Sequence, residues 1–153
     1  MLRKLLLLIL ISWMVNPTIA QNDMGYIPPM DIPMVLSGNF GEMRRNHFHT
    51  GIDLKTQGRQ GIPVRAIADG HVSRIKVSPY GYGNAIYIDH YDGHTSVYAH
   101  LRSFSDSLEQ VMREAQYAHQ RWEFDYYPEA RTLPVKQGEV IGLSGNSGSS
   151  TGP

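Results

Sequence analysis

The chain has no cysteine, so it relies on neither disulfides nor thiolate ligands, and any metal it holds must be bound by histidine and carboxylate. It also has no surplus of charge: Lys+Arg 14 balances Asp+Glu 14. No basic stripe is available to neutralise phosphates, which argues against nucleic acid as a partner. Long hydrophobic runs are scarce. The one present, Leu5 to Val15, is too short to span a bilayer. Arg3 and Lys4 precede it, Asn16-Pro17 breaks it, and Thr18-Ile19-Ala20 offers a small-residue cleavage site before Gln21, so residues 1–20 read as a secretory signal peptide. Without cysteine it cannot be a lipoprotein signal. Export to the periplasm, the cell envelope or the medium follows, with no stable membrane insertion once the leader is removed. Residues 21–153 are enough for one small domain. No internal repeat or low-complexity tract is visible before the Gly/Ser/Thr-rich stretch Gly145 to Pro153, and nothing indicates an oligomeric state.

What is present reads as mostly β. Residues 21–33, with Pro28, Pro29 and Pro33, suit an extended lead-in. Strand-like runs follow at Met34 to Phe40, Pro63 to Ala68, His71 to Val77, Ala85 to His90 and Thr95 to His100, separated by turn signals such as Ala68-Asp69-Gly70 and Pro79-Tyr80-Gly81. Asp92-Gly93 between two strands is a hairpin signal, and it places His90 and His94 near a tip, where both read as exposed turn residues. Ser105 to about Trp122 differs: Leu108, Val111, Met112 and Ala115 recur at helical spacing, with Ser105 as N-cap and Asp106 and Glu109 in the first turn. Its apolar stripe is most simply a face packed on the sheet. Glu123 to Tyr127 and Pro134 to Leu143 add strand signals, the latter with a turn at Gln137-Gly138.

Histidine is mildly enriched, and six of the seven lie between His47 and His100. Among them His49 and Asp53 stand four apart around Gly51. A catalytic zinc takes three protein ligands, nitrogen from His and oxygen from carboxylate, and keeps a position for water. On a straight strand the two would stand roughly 13 Å apart, at about 3.3 Å per residue. They can share an ion only if the chain bends, and Gly51, free of a Cβ, permits a bend. A helix would also bring them together, but Gly51 and the β-branched Thr50 and Ile52 oppose one. On the pair alone, a turn-capping His49 and a solvated Asp53 remain the simpler reading.

The motifs taken in order resemble a family. Ser37-Gly38-Asn39-Phe40-Gly41 to Arg44, the His49 to Asp53 element, Ile62-Pro63-Val64 with Ala68-Asp69-Gly70-His71-Val72, Tyr80 to Asn84 running into Ile88-Asp89-His90, Tyr98-Ala99-His100-Leu101, and Val135 to Gly138 with Ser144 to Pro153 recur in this sequence in lysostaphin-type, LytM-like zinc endopeptidases (metallopeptidase family 23). The resemblance covers nearly all of residues 35–153. It implies an antiparallel β-sandwich or barrel of the duplicated hybrid motif type over residues 34–153, with a helical insertion at about 102–133 where many relatives have a short turn. It further implies one Zn2+ bound by His49 and Asp53, His100 beside the attacking water, and peptidoglycan peptides as substrate. The third ligand and a second catalytic histidine come, in that family, from an HxH element directly after the Ser/Thr-Gly-Pro loop. Here that loop ends at Pro153, so a piece truncated before the element, binding zinc weakly and inactive as it stands, is expected. His47, two residues from His49 on the same face of a strand, is a substitute ligand to consider.

Two rival readings compete. One is a catalytically inactive LytM-like module that binds the envelope or activates another cell-wall hydrolase; such modules usually lose zinc ligands, whereas His49, Asp53 and His100 all persist. The other is a lipoyl-type carrier domain, suggested by Pro63 to Val72, but the turn holds Gly70 and His71 where a carrier needs lysine.

Overall fold

The β-branched and aromatic runs assemble into three antiparallel sheets, which the computed structural model describes over residues 25–45 and 47–153. The signal peptide expected at residues 1–20 lies outside these residues, as does the start of the lead-in. The strands are β1 (Leu36–Gly38), β2 (Asp53–Leu54), β3 (Pro63–Arg65), β4 (Gly70–Val77), β5 (Asn84–His90), β6 (Thr95–Leu101), β7 (Ser103–Phe104), β8 (Phe124–Tyr126), β9 (Pro134–Val135) and β10 (Val140–Leu143), with one helix, α1 (Asp106–His119), between β7 and β8. The largest sheet runs β6-β5-β4-β8, with β9 also on β4; a second runs β3-β10-β7; β1 and β2 form a separate pair. The fold is mostly β and antiparallel with one inserted helix, and no closed barrel forms.

One apolar cluster draws on both larger sheets and the helix. Val72 and Ile75 of β4, Ile86 and Ile88 of β5, Leu101 of β6, Ile141 of β10 and Met112 of α1 are all fully buried. Each such side chain contributes about 1.5–3 kcal/mol by leaving water. Helix α1 lays Leu108, Met112 and Ala115 inward and packs on β7 and β8. It begins where expected, after Ser105, although the Ser105 hydroxyl makes no capping bond; at this end the Glu109 carboxylate accepts the Phe104 N–H at 3.3 Å. It ends three residues before the expected Trp122. Gln120 turns left-handed at φ 51°, and its N–H and that of Arg121 return to the carbonyls of Tyr117 and Gln116, a closure that stops the helix without glycine.

The lead-in is tied down as well as extended. Ile27 donates its N–H to Ile67, Pro29 accepts from Arg65, Met30 is buried, and Asp31 pairs with Arg65 at 2.7 Å. The hairpin at Asp92-Gly93 forms, with Gly93 at φ 88°. His94 at its tip is exposed as expected, but His90 is not. Its ring is buried, Nδ1 on the Asp69 carbonyl at 3.0 Å and Nε2 on Ser96 Oγ at 2.8 Å. The reason is the pleat: His90 continues the inward face of Ile86 and Ile88, a phase the hairpin position alone conceals.

Two outcomes test this account. Ile86→Ala is expected to lower stability by about 2–5 kcal/mol in urea titration, since the site is closed on all sides. The second concerns Asp92, whose carboxylate accepts from the Tyr26 hydroxyl and from the His94 N–H. Chiefly through the Tyr26 bond, its pKa is lowered to about 2. Being below the unfolded value of about 3.9, it contributes stability that is present above about pH 4 and lost as the pH falls toward 2. Tyr26→Phe is expected to shrink the stability lost between about pH 5 and pH 2.5, read as urea midpoints; an unchanged difference would remove Tyr26 as the cause.

Candidate metal-binding and catalytic site

The short β1–β2 pair places the first half of the site. Gly38 stands opposite Asp53 in the register, and a Cβ on Gly38 would overlap both the Asp53 carboxylate and the Arg44 guanidinium. Glycine is therefore needed here for space. Between β1 and β2 the chain folds back through an isolated bridge, Met43 with Phe48, and His49 and Gly41 bond across it, His49 N–H to Glu42 and Gly41 N–H to His49. This return brings the ring of His49 in front of Asp53, with Nε2 3.2 Å from Oδ1.

The chain does bend between the two residues, but not by the means the sequence suggests. Gly51 keeps an ordinary negative-φ or extended backbone, being absent from the glycines with positive φ. A Cβ there would meet nothing nearer than His49 Nε2, at 4.0 Å. Its lack of side chain leaves the space before that nitrogen clear.

Donor chemistry decides what the pair can hold. His49 Nδ1 lies 3.0 Å from the Asn39 carbonyl, which can only accept. In the neutral ring Nδ1 therefore carries the proton and Nε2 is bare. A bare nitrogen facing a carboxylate oxygen is favourable only with positive charge between them, a proton or a metal ion. Two ligands at about 2.0–2.2 Å from one tetrahedral ion lie roughly 3.4 Å apart, close to the observed 3.2 Å. The Nδ1–H bonded to a backbone carbonyl is also how metal-binding histidines are oriented. These two residues thus fit a metal such as zinc. Among the described residues, no group of three or more His, Cys, Asp or Glu gathers around one point. Arg44 completes the surroundings: its Nη2 reaches Asp53 Oδ2 at 2.8 Å and Glu42 Oε2 at 2.9 Å.

The second half of the site is a distortion of β6. Ile86 pairs with Tyr98 and Asn84 with Leu101, so β6 spends one residue more than β5 between them. That bulge falls at Ala99-His100, and His100 is left-handed at φ 57°. A bulge turns a side chain away from its strand's alternation, and a histidine in the left-handed region is uncommon enough to mark a site. The conformation is held on both sides: the His100 N–H bonds the Tyr82 carbonyl at 2.8 Å, and Nδ1 bonds the Ser147 carbonyl at 2.9 Å. The carbonyl again fixes the tautomer, leaving Nε2 bare.

Ser147 belongs to the Gly/Ser/Thr stretch after β10, which docks onto the turn Gly81–Gly83. Ser147 Oγ accepts the Asn84 N–H at 2.9 Å, and Ser149 and Gly81 exchange two bonds. Gly148, at φ 69°, sits so close to Gly81 and Gly83 that any Cβ would strike their backbone.

Tyr82 joins the halves. Its ring meets the His100 ring edge-on with centroids 6.3 Å apart, and its hydroxyl shares a 2.8 Å hydrogen bond with Thr50 Oγ1, beside His49. Tyr82 thus links the return that carries His49 and Asp53 to the bulge that carries His100, the three residues singled out from sequence. The structure adds Arg44, Tyr82 and the Ser147 carbonyl, which lay inside quoted motifs without a role. His47 is exposed on the same return, and its carbonyl accepts the Arg44 N–H. His90 and His94 lie at the far end of the β5–β6 hairpin.

Residues 47–122 match the model of Peptidase family M23. Over 105 residues, 69% of this chain, it is 39% identical to the DD-carboxypeptidase/endopeptidase Mpg of Neisseria meningitidis serogroup B, of which it covers 18%. It is 34% identical, again over 105 residues, to an uncharacterized metalloprotease of Haemophilus influenzae, of which it covers 17%. The chain therefore spans less than a fifth of these relatives. Among solved structures, the catalytic domain of the prophage-encoded M23 protein EnpA from Enterococcus faecalis superposes with a TM-score of 0.57 at 25% identity, covering 84% of this chain and 81% of that one.

Gly148→Ala tests the docking of the loop. A Cβ at this positive φ must push the loop off the Gly81–Gly83 turn, so a loss of about 1–3 kcal/mol is expected, together with a shift of the His100 ring resonances in NMR. A variant with wild-type His100 resonances would show that the loop does not hold this ring.

Proposed function

The chain belongs to peptidase family M23, a metallopeptidase family, and on that footing we propose that it is a zinc metalloendopeptidase that hydrolyses peptide bonds of bacterial peptidoglycan in the periplasm or cell envelope. The observation that carries the reading is the approach of His49 Nε2 to Asp53 Oδ1 at 3.2 Å, with the ring's other nitrogen bonded to a carbonyl. Relatives named as carboxypeptidase, endopeptidase and metalloprotease support it, and the leader-like residues 1–20 support an exported substrate. Among the described residues no helix is long and apolar enough to cross a membrane.

His49 and Asp53 would supply two donors to the zinc. When bound, the ion supplies Lewis acidity, polarising a carbonyl and lowering the pKa of water to about 7. The remaining work falls to the chain. His100 presents a bare Nε2 because Ser147 holds its Nδ1–H, so it can take the proton of an attacking water and return it to the leaving amine. Its left-handed backbone, held by the Tyr82 carbonyl, and the Ser147 carbonyl on its ring fix His100 in place. Tyr82, bonded to Thr50 and set against His100, keeps base and ligands in register, which matters because small misplacements in such sites cost large rate factors.

The assay is cleavage of muropeptides by the full-length protein, with and without chelator. Hydrolysis that stops on chelation and returns with zinc is expected. His49→Ala and Asp53→Ala should lose both metal and activity. His100→Ala should keep its zinc but lose about 10²–10⁴ in kcat. A zinc-replete protein that binds peptidoglycan without cutting it would replace this reading with the non-catalytic module.

A further inference from the structure

We propose that Arg44 is a positioning residue for the metal pair: by engaging one oxygen of Asp53 it fixes the other toward His49 Nε2, and its own charge is cancelled by Glu42. The inference rests on the proposed metal site at His49 and Asp53 and extends it to a residue that touches neither the metal nor the substrate.

A carboxylate has two oxygens and a torsion that turns them freely, so a short Asp on a two-residue strand does not by itself present one oxygen in a set direction. Here Oδ2 accepts from Arg44 Nη2 at 2.8 Å while Oδ1 faces His49 Nε2 at 3.2 Å. The two oxygens are thus assigned to different partners. A ligating carboxylate that is itself hydrogen-bonded is the usual means of fixing its orientation.

Arginine is an odd choice beside a cation site, because its positive charge opposes a divalent ion. Glu42 answers the oddity. Its Oε2 lies 2.9 Å from the same Nη2 and also 3.3 Å from the Asn39 N–H, so Glu42 and Arg44 together add no net charge. What remains of Arg44 is direction. The same nitrogen passes 3.3 Å from His49 Nδ1, but with Nδ1–H given to Asn39 this is donor beside donor and no bond, so the two hydrogens of Nη2 go to Asp53 and Glu42. Asn39 ties the cluster together, its carbonyl holding His49 and its N–H facing Glu42.

Two further features show that this guanidinium is fitted rather than adventitious. Its Nε is buried and makes no hydrogen bond; the side chain accepts that loss to deliver Nη2 to the carboxylates. Gly38, directly across the β1–β2 register, leaves the volume that Arg44 and Asp53 occupy together. A surface ion pair needs neither arrangement.

The test is zinc affinity, measured on metal-stripped full-length protein by competition with a chelator of known strength. Arg44→Gln, which keeps length and hydrogen bonding but not the fork or charge, is expected to bind zinc about 10–100-fold more weakly, the range for loss of a group that orients a ligand. Arg44→Lys should recover part of that loss, since an ammonium can still reach Oδ2. Gly38→Ala should also weaken zinc, since its Cβ would displace the Asp53 carboxylate and the Arg44 guanidinium together. Activity of Arg44→Gln should return toward wild type at saturating zinc, which a misfolded variant would not do. Arg44→Gln binding zinc as tightly as wild type, or more tightly, would overturn the proposal and show that charge rather than direction governs. Wild-type protein binding zinc no better than Asp53→Ala would instead remove the metal site itself, and this inference with it.

Discussion

Two electron-rich atoms held 3.2 Å apart, His49 Nε2 and Asp53 Oδ1, set the terms for everything around them. Left alone, a neutral imidazole would turn its N–H toward the carboxylate. The Asn39 carbonyl prevents this by claiming Nδ1–H, and Arg44 prevents the carboxylate from turning away by claiming Oδ2. The return between β1 and β2 exists to make both claims possible, since it puts Asn39, Glu42, Arg44 and His49 on adjoining rungs of one short bridge. The arrangement is unfavourable without a positive charge between the two atoms, which is why the pair is a candidate for a metal ion.

His100 is held by the same device on a different scaffold. A backbone carbonyl takes Nδ1–H, and Nε2 is left as the acceptor. In both cases the tautomer is set by main-chain atoms rather than by another acid, so it does not depend on the protonation of a neighbour. The two scaffolds differ in rigidity. His100 sits on a bulge of the five-stranded sheet whose neighbours Ile86 and Leu101 are fully buried. Asp53 sits on a two-stranded pair and His49 on the return between its strands, with largely exposed apolar residues, Leu36, Phe48 and Ile52 among them, on the same segments. Tyr82, fixed at the sheet and bonded to Thr50, carries position from the rigid part to the loose one.

The elements that are long and regularly patterned were legible from residues alone. β4, β5, β6 and α1 fall within a residue or three of where the apolar periodicity and the Asp92-Gly93 turn place them. The expected strand from Met34 to Phe40 shrinks to Leu36–Gly38 because its partner β2 has only two residues to offer. The three candidate residues came from motif order, and the fold sets His49 against Asp53, with Tyr82 reaching from Thr50 to His100. Their supports did not come through. Arg44 reads as one basic residue among fourteen, and nothing in its spacing announces Asp53 nine residues on. Tyr82 reads as a turn aromatic, and the loop from Gly145 reads as slack until Gly148 is found pressed against Gly81 and Gly83. His90 was misplaced for the same reason, since its burial depends on strand phase beyond the turn. Such roles arise from contacts between segments far apart in sequence, for which a local pattern has no term.

This division of labour bears on where stability and chemistry reside. The apolar cluster of β3 to β7, β10 and α1 is closed and governs global unfolding. The β1–β2 return buries little, so its local opening should be far easier than global unfolding. In the proposed reading an ion gripped by His49 and Asp53 would cross-link that return at its open end, and its binding energy would go partly into ordering β1 and β2. Arg44 and Gly38 lower the ordering left to do, because they preset the carboxylate before any ion arrives. A ligand pair placed on the closed core would need no such help, but it would also lie behind Ile86 and Leu101, out of reach of the polymeric substrate that we propose. On that proposal, exposure of the pair and dependence on the polar contacts of Arg44, Glu42 and Asn39 are one and the same constraint.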